Sequence, residues 1–164
     1  MRVDRLWLDG PDVDRWCEIY SAGRTLDSGS REDAASLASH IRATTAPHTE
    51  YFVARQGGQL IGAASVSAST TTQAIARIYV DVASRRLGAG RTLADQVLRW
   101  ARVRRFQSVT ATVGAGSAGE YFASALGAWV VLRLVTVVRD LHEEVIPVPA
   151  PAGLRLWRDR KSVV

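Results

Sequence analysis

The sequence predicts a mixed α/β fold, in the broad sense that includes α+β proteins, with a mostly antiparallel central sheet. Three apolar or alternating runs between residues 51 and 82, separated by short polar turns, indicate an antiparallel meander. A turn with glycines at 88 and 90 follows, and after it come an amphipathic helix and one more strand. A strand, helix and strand connected in this way place the two strands parallel. We therefore expect one parallel strand pair after the glycine turn.

A short strand and two helices precede the meander. Alternation of residue type at positions 3–8 predicts the strand. Asp12 is a good N-cap for the first helix, and Gly23 suggests its end. The second helix is expected to begin near Ser30 and to stop before Pro47, since proline disfavours helix for the residue that precedes it.

The meander itself is bounded by turn residues. Its strands are predicted at 51–55, 60–69 and 74–82. Gly57-Gly58 supplies the positive φ angles that a tight hairpin turn requires. Gly62 lies inside the second strand, where it predicts a bulge or a close backbone contact.

Four further elements follow the glycine turn. Apolar residues at helical spacing, alternation and β-branched runs predict them in turn. They are a helix at 92–104, a strand at 106–113, a short helix at 119–126 and one long or two shorter strands at 128–141.

The stretch Arg85-Arg86-Leu87-Gly88-Ala89-Gly90-Arg91 joins a strand to a helix and is a candidate ligand site. Glycine has no Cβ, so its backbone can approach a ligand closely. The first turn of a helix has amide N–H groups without intrahelical partners, and together with the helix dipole they form a site for a phosphate. The arginines add positive charge. A plain glycine turn with a solvated basic rim is the alternative that the glycines alone leave open.

Arg85-x-x-Gly88-x-Gly90 matches the pattern Gln/Arg-x-x-Gly-x-Gly/Ala, which is the signature of the GNAT superfamily of acyl-CoA-dependent N-acetyltransferases. Between residues 3 and 141 the order of predicted elements also resembles this superfamily. The resemblance implies helices on both faces of the sheet, acetyl-CoA as co-substrate and no metal. The activity that it implies is transfer of an acetyl group to a primary amine of a small molecule or peptide.

The resemblance also implies which residues contact acetyl-CoA. Main-chain groups of Val80 and Val82, in the strand before the turn, would pair with the pantetheine arm. The N–H groups from Arg85 to Arg91 would hold the pyrophosphate. These assignments come from the family pattern and not from spacing alone.

Catalytic residues are harder to assign. Many family members return a proton to the leaving thiolate with a tyrosine in the short helix, but Ala123 stands at that position, and Gly116 replaces the family's asparagine. Tyr121 precedes Ala123 by two positions, about 200° away around the helix. Tyr79 shares a strand face with Asp81, which we expect to be solvated or to stabilise the turn. Tyr79 and Tyr121 are the remaining candidates for substrate contact or catalysis.

The missing tyrosine and asparagine leave a second hypothesis open. The domain would keep the fold and bind CoA but serve as a catalytically impaired sensing or scaffolding unit. Glu50 and His48, just before the second strand, are alternative catalytic groups if folding brings them near the site.

Composition limits the class of protein and its compartment. Of 164 residues 47% are hydrophobic and the net charge is +5, so a folded globular protein is expected. No apolar run reaches the roughly 20 residues of a membrane-spanning helix. The single cysteine, Cys17, excludes an internal disulfide framework and favours the cytoplasm. A homodimer remains an open alternative.

The positive charge raises the question of nucleic-acid binding. A nucleic-acid interface would require a dense basic stripe interleaved with aromatic residues. We interpret the one dense cluster as a solvated face, so nucleic acid is not an expected partner. The cluster consists of Arg99, Arg102, Arg104 and Arg105.

The last part of the chain differs in character. Prolines at 147, 149 and 151 follow an acidic pair and indicate an extended linker. We predict an acyltransferase-like domain at 1–142 and, at 143–164, a proline-containing tail or the start of a second unit. The sequence Gly-Leu-Arg-Leu-Trp-Arg at 153–158 resembles the predicted first strand at 3–8, which keeps the second alternative open.

Overall fold

A computed structural model describes residues 1–28, 33–43 and 48–134. The chain divides into two units, Met1–Trp129 and Val130–Val164. Of the second unit only residues 130–134 are described, and they form neither helix nor strand. The first unit contains β1 (Arg2–Arg5), α1 (Asp12–Ser28), α2 (Ala34–Ala43), β2 (Thr49–Gln56), β3 (Gln59–Ala68), β4 (Gln73–Val80), α3 (Ala89–Val103), β5 (Ser108–Thr110) and α4 (Ala118–Ala125).

The five described strands form one sheet in the order β1-β2-β3-β4-β5. β1 to β4 pair antiparallel with their neighbours, and β4 and β5 pair parallel. The parallel pair is connected through α3, as a strand, helix and strand unit requires. The predicted fold class, a mostly antiparallel sheet with one parallel pair after the glycine turn, is confirmed.

One face of the sheet is covered by α1 and α2. The indole N–H of Trp16, a fully buried residue, donates to the main-chain carbonyl of Phe52 at 2.9 Å and fixes α1 on β2. Burying an apolar side chain of this size stabilises the fold by about 1.5–3 kcal/mol relative to exposing it. The apolar side chains in this cluster include Val13, Trp16, Tyr20, Leu37, Ile41, Val53 and Leu60.

The opposite face is covered by α3. Its apolar residues recur at four-residue spacing, so they form one stripe that faces the sheet. Leu93, Val97 and Ala101 are each at most 3% exposed and pack against β3 and β4. The chain therefore has helices on both faces of the sheet, as the family resemblance implies.

The hairpin between β2 and β3 has the predicted turn, with φ of 56° at Gly57 and 82° at Gly58. Two register pairs, Ala54 with Gly62 and Arg55 with Leu60, leave Ile61 as an extra residue, which makes a β-bulge. A Cβ at Gly62 would lie 3.0 Å from Leu93 Cδ1. Of the two alternatives predicted at Gly62, a bulge or a close backbone contact, the bulge is present at the neighbouring Ile61.

The boundaries of both N-terminal helices differ from the prediction. α1 continues past Gly23 to Ser28, so Gly23 is inside a helix and does not end it. The predicted start of the second helix at Ser30 and its end before Pro47 lie outside the described residues. The described helix begins at Ala34, and the Asp33 carboxylate accepts from the Ser36 N–H at 2.9 Å. This backbone hydrogen bond, with a second from the Ser36 hydroxyl, lowers the pKa of Asp33.

Two later elements also differ from the prediction. β5 spans only Ser108–Thr110, because three residues of β4 pair with it. The predicted strand at 128–141 is wrong for its described part: residues 128–134 are not in a strand, and 135–141 lie outside the described residues.

In the described ranges, no helix combines the length and the hydropathy needed to cross a membrane.

Candidate functional site

One turn of 3-10 helix at Val82–Ser84 precedes the predicted glycine turn, which leads into α3. Its backbone takes the left-handed conformation twice, with φ of 66° at Arg86 and 88° at Gly88. A non-glycine residue at positive φ is uncommon, so Arg86 marks a turn whose shape is fixed by its neighbours. Gly88 is the N-cap of α3, which begins three residues before the predicted start at 92.

The N-terminus of α3 presents main-chain donors. Gly88 supplies no side-chain cap, and a Cβ placed on it would have no heavy atom within 4 Å. The carbonyl of Gly88 accepts from the Thr92 N–H at 3.1 Å, so the N–H groups of the three residues between them lie in the unpaired first turn of the helix. The open space in front of these three N–H groups, which we call the notch, lies at the positive end of the helix dipole. It therefore suits an anion.

The side chains of the turn are divided between solvent and core. Arg85, Arg86 and Arg91 are exposed and place three positive charges around the notch, and Leu87 is 54% exposed. Ala89 is buried against the α3 side of the sheet, so it presents only its main chain to the notch.

Gly90 allows α4 to approach the first turn of α3. A Cβ on Gly90 would lie 3.4 Å from Phe122 Cζ and 3.8 Å from Val80 Cγ2. The Phe122 ring therefore packs against the first turn of α3. Packing is the role that its place in the short helix suggests.

β4 continues beyond its pairing with β5. The three residues of β5 pair with Gln73–Ile75, and residues 76–80 extend past them. The Ala74 carbonyl faces the β5 edge, since it accepts from the Thr110 hydroxyl at 3.3 Å. Because main-chain direction alternates along a strand, the main-chain groups of Val80 face the same edge. Within the described part of the chain no strand covers this portion of the edge, so an extended ligand could pair with it.

The strand ends earlier than the sequence predicts. Val82 was expected on the strand beside Val80, but it begins the 3-10 turn, and its carbonyl accepts from the Arg85 N–H at 3.4 Å. The side-chain Nε of Arg85 donates to the Val80 carbonyl, also at 3.4 Å. Of the two residues, only Val80 lies on the open edge of β4.

Tyr79 faces away from that edge, toward α1. Its ring makes an edge-on contact with Tyr20, with centroids 5.0 Å apart. A Cβ on Gly23 would lie only 2.2 Å from Tyr79 Cδ1, so the ring rests directly on the helix backbone. Tyr79 belongs to the border of the α1 cluster and is half-buried.

Tyr121 is 73% exposed on α4, so it is not a core residue. The helix is fixed by its N-cap: the Ser117 hydroxyl accepts from the N–H groups of Gly119 and Glu120. The two tyrosine candidates thus lie in different environments, one against α1 and the other in solvent.

A small cavity of about 100 Å³ lies between α1 and the end of β4. Asp81 lines it and forms an ion pair with Arg15, whose Nη2 is 2.5 Å from Asp81 Oδ2. Arg15 also donates to Glu18 at 2.9 Å. The pKa of Arg15 is raised, chiefly by the hydrogen bond to Glu18 and, among the smaller effects, by the charge of Asp81.

Sequence reasoning missed the partner of Asp81 and the surroundings of Glu50. Arg15 and Asp81 are 66 residues apart, and no local pattern marks their pairing. Glu50 Oε2 lies 2.6 Å from Arg5 Nε, and Glu50 Oε1 lies 3.8 Å from Arg104 Nη2. Glu50 is therefore ion-paired with arginines on the α3 side of the sheet.

Among the described residues no group of three or more His, Cys, Asp or Glu could hold a metal ion.

The fold is similar to several solved structures at low sequence identity. A protein from Salmonella typhimurium solved with its cofactor acetyl-CoA has a TM-score of 0.69 and 18% identity, over 92% of this chain and 99% of that one. An aminoglycoside 6'-N-acetyltransferase from Acinetobacter haemolyticus has a TM-score of 0.65 and 17% identity, over 86% and 99%. A ribosomal-protein-alanine N-acetyltransferase from Brucella melitensis has a TM-score of 0.64 and 19% identity, over 77% and 83%.

Comparison with curated protein sequences gave no match. The sequence profile of the Acetyltransferase (GNAT) family, however, matches residues 13–125. This range begins in α1, contains the sheet from β2 to β5 with the glycine turn, and ends with α4. The chain therefore belongs to the GNAT acetyltransferase family.

Proposed function

We propose that this protein is an N-acetyltransferase that transfers the acetyl group of acetyl-CoA to a primary amine of a small molecule or peptide. One observation carries the proposal: the open edge of β4 at Val80 leads directly into a turn whose main-chain donors lie at the N-terminus of α3. Acetyl-CoA offers two amides and a diphosphate in the same linear order.

The chain's own residues would bind the two parts of this co-substrate differently. Main-chain N–H groups of the turn, from Arg85 to Arg91, hold the diphosphate, and the exposed arginines among them supply charge. The main chain of Val80 pairs with the pantetheine arm as an added strand would. Val82 contributes through the 3-10 turn and not as a strand residue.

The reaction depends chiefly on positioning. The amine nitrogen attacks the thioester carbonyl, the C–S bond breaks, and a proton moves from the amine to the leaving thiolate. Holding an amine and a thioester in the correct geometry supplies a large part of such a rate enhancement. A solvent-mediated proton transfer is consistent with the position of Tyr121, which is exposed on α4.

Two relatives support an amine acceptor without identifying it. One is named for acetylating aminoglycosides and the other for acetylating an alanine of a ribosomal protein. At 17% and 19% identity these likenesses concern the fold, so we propose for this chain an amine-bearing acceptor and no particular compound.

We expect the purified chain to release CoA thiol from acetyl-CoA when an amine acceptor is added. The measurement is a thiol-release assay over a panel of aminoglycosides, polyamines and peptides with free N-termini, with an N-acetylated peptide as the matched control. Turnover with a free amine and none with the blocked peptide would support the proposal. Acetyl-CoA binding without turnover over the whole panel would contradict it and favour the catalytically impaired alternative, which the alanine at position 123 motivates.

Asp81→Asn tests whether the carboxylate beside β4 acts as the general base. We expect turnover to change little, because Asp81 is ion-paired to Arg15 and we expect it to stabilise the turn. Loss of a general base would lower turnover by about 100-fold or more. Both side chains of the pair are partly exposed, so the free energy of unfolding should fall by at most about 1 kcal/mol. Arg15→Gln is the control, since it breaks the same pair and leaves the carboxylate in place.

A further inference from the structure

A second concave surface lies on the α3 side of the sheet. This groove, of about 260 Å³, is bounded by the C-terminal half of α3 and by residues of β1 and β2. Trp100 follows the first residue of α3 by eleven positions, which is about 16 Å along a helix axis. The groove is therefore separate from the glycine turn. Its polar and aromatic lining includes Arg5, Glu50, Gln96, Arg99, Trp100 and Arg104.

The charge of the groove is positive. Its only carboxylate among the lining residues, Glu50, has a side chain that is 13% exposed and lies 2.6 Å from Arg5 Nε. Arg104 is farther from Glu50, at 3.8 Å. Arg5 therefore offsets most of the negative charge, and the guanidinium groups of Arg99 and Arg104 leave an excess of positive charge in the groove.

Trp100 carries a buried hydrogen-bond donor, which is evidence independent of the charge. The residue is 7% exposed, and its indole N–H has no hydrogen-bond acceptor among the described residues. The Arg104 guanidinium lies 4.4 Å from the centroid of its ring, and Phe106 stacks on it at 5.5 Å. Buried polar groups are nearly always hydrogen-bonded, so this N–H is an unsatisfied donor in a residue that lines the groove.

We propose that the groove is a second binding site, specific for a small organic anion that carries a carboxylate or phosphate on an apolar body. Arg99 and Arg104 provide charge-assisted donors, and the Trp100 N–H provides a neutral one. Val103, which lines the groove and is 74% exposed, offers apolar surface to the body of the ligand. Small-molecule sites typically have a few polar groups that converge on an apolar surface.

The test follows the indole N–H resonance of Trp100 by ¹⁵N NMR, assigned by its loss in Trp100→Phe. Benzoate, phenyl phosphate and neutral benzamide serve as probes of nearly the same shape. We expect at least one anion to shift this resonance in a saturable way and benzamide to leave it unchanged. A response to phenyl phosphate alone identifies a phosphorylated ligand, and a response to benzoate alone identifies a carboxylate. An equal response to benzamide, or no response to either anion at about 10 mM, overturns the proposal.

Arg99→Gln and Arg102→Gln form a matched pair on the exposed surface of α3. Arg99 lines the groove and Arg102 does not, although both substitutions remove one charge. We expect Arg99→Gln to weaken anion binding about tenfold or more, since it removes a charge-assisted hydrogen bond. Arg102→Gln should leave the affinity unchanged. Equal weakening by the two variants would mean non-specific attraction to a basic surface and would overturn the site.

Discussion

Replacing Arg86 with glutamate and Gly88 with tryptophan is expected to abolish the stabilisation of this protein by acetyl-CoA. With co-substrate at about 100 times its dissociation constant, binding adds about 2.7 kcal/mol to the free energy of unfolding. For a chain of this size we expect a rise in Tm of about 5 °C or more. A Cβ at Gly88 points into open space, so an indole there would fill the notch over the α3 N–H groups. Thermal unfolding with and without acetyl-CoA measures the effect.

Two controls separate lost binding from lost folding. Arg102→Glu makes the same change of charge near the other end of α3, and its acetyl-CoA shift should equal that of the original chain. Arg86→Glu alone removes a positive charge without adding the strain of a tryptophan at a φ of 88°. It should reduce the shift while leaving the unliganded Tm close to its original value. An undiminished shift in the double variant would contradict the assignment of the turn as the diphosphate site.

Local chemistry explains what the sequence could predict. The hairpin at Gly57-Gly58 and the turn at Gly88 depend on positive φ angles, which glycine adopts without a steric penalty, and both are present. The apolar stripe of α3 is likewise a local pattern, and it is buried as predicted. The parallel pairing of β4 and β5 follows from the connection between them.

Long-range contacts explain what the sequence could not predict. Gly23 suggested a helix end, but its role is to give space to the Tyr79 ring, which belongs to another element. Arg15 and Asp81 are paired only because α1 crosses the end of β4. The groove at Trp100 likewise requires α3 to lie beside Glu50 and Arg5 of the strands.

The ends of strands also depend on long-range contacts that the sequence does not predict. Alternation from 106 to 113 predicted a long strand, yet only Ser108–Thr110 pair with β4. Strand propensity describes a side chain's suitability for a pleated surface, while the length of a strand depends on its partner. The short β5 leaves the edge of β4 open at Val80, where we propose that the pantetheine arm binds.

Gly23→Ala should destabilise the protein strongly, although alanine is the better helix former. The new methyl carbon would lie 2.2 Å from Tyr79 Cδ1 and 2.7 Å from Tyr79 Cβ. The ring rests on α1 with an edge-on contact to Tyr20 of the same helix, so it cannot move away without repacking. Overpacking of this kind costs about 1–3 kcal/mol, and we expect the upper end of that range from chemical denaturation. Gly90→Ala in α3 is the matched control, because its Cβ would be 3.4 Å from the nearest side-chain atom, Phe122 Cζ, which is ordinary contact.

The sign of this effect should reverse when the side chain of residue 79 is removed. In a Tyr79→Gly background the methyl group of Gly23→Ala meets neither the ring nor the Cβ of residue 79, and the helix propensity of alanine should stabilise α1 by about 0.5–1 kcal/mol. The difference between the two backgrounds is the coupling energy of the pair, which a double-mutant cycle measures directly. If Gly23→Ala destabilises both backgrounds equally, the Tyr79 ring does not lie on the helix backbone, and the packing of α1 on β4 described above is wrong.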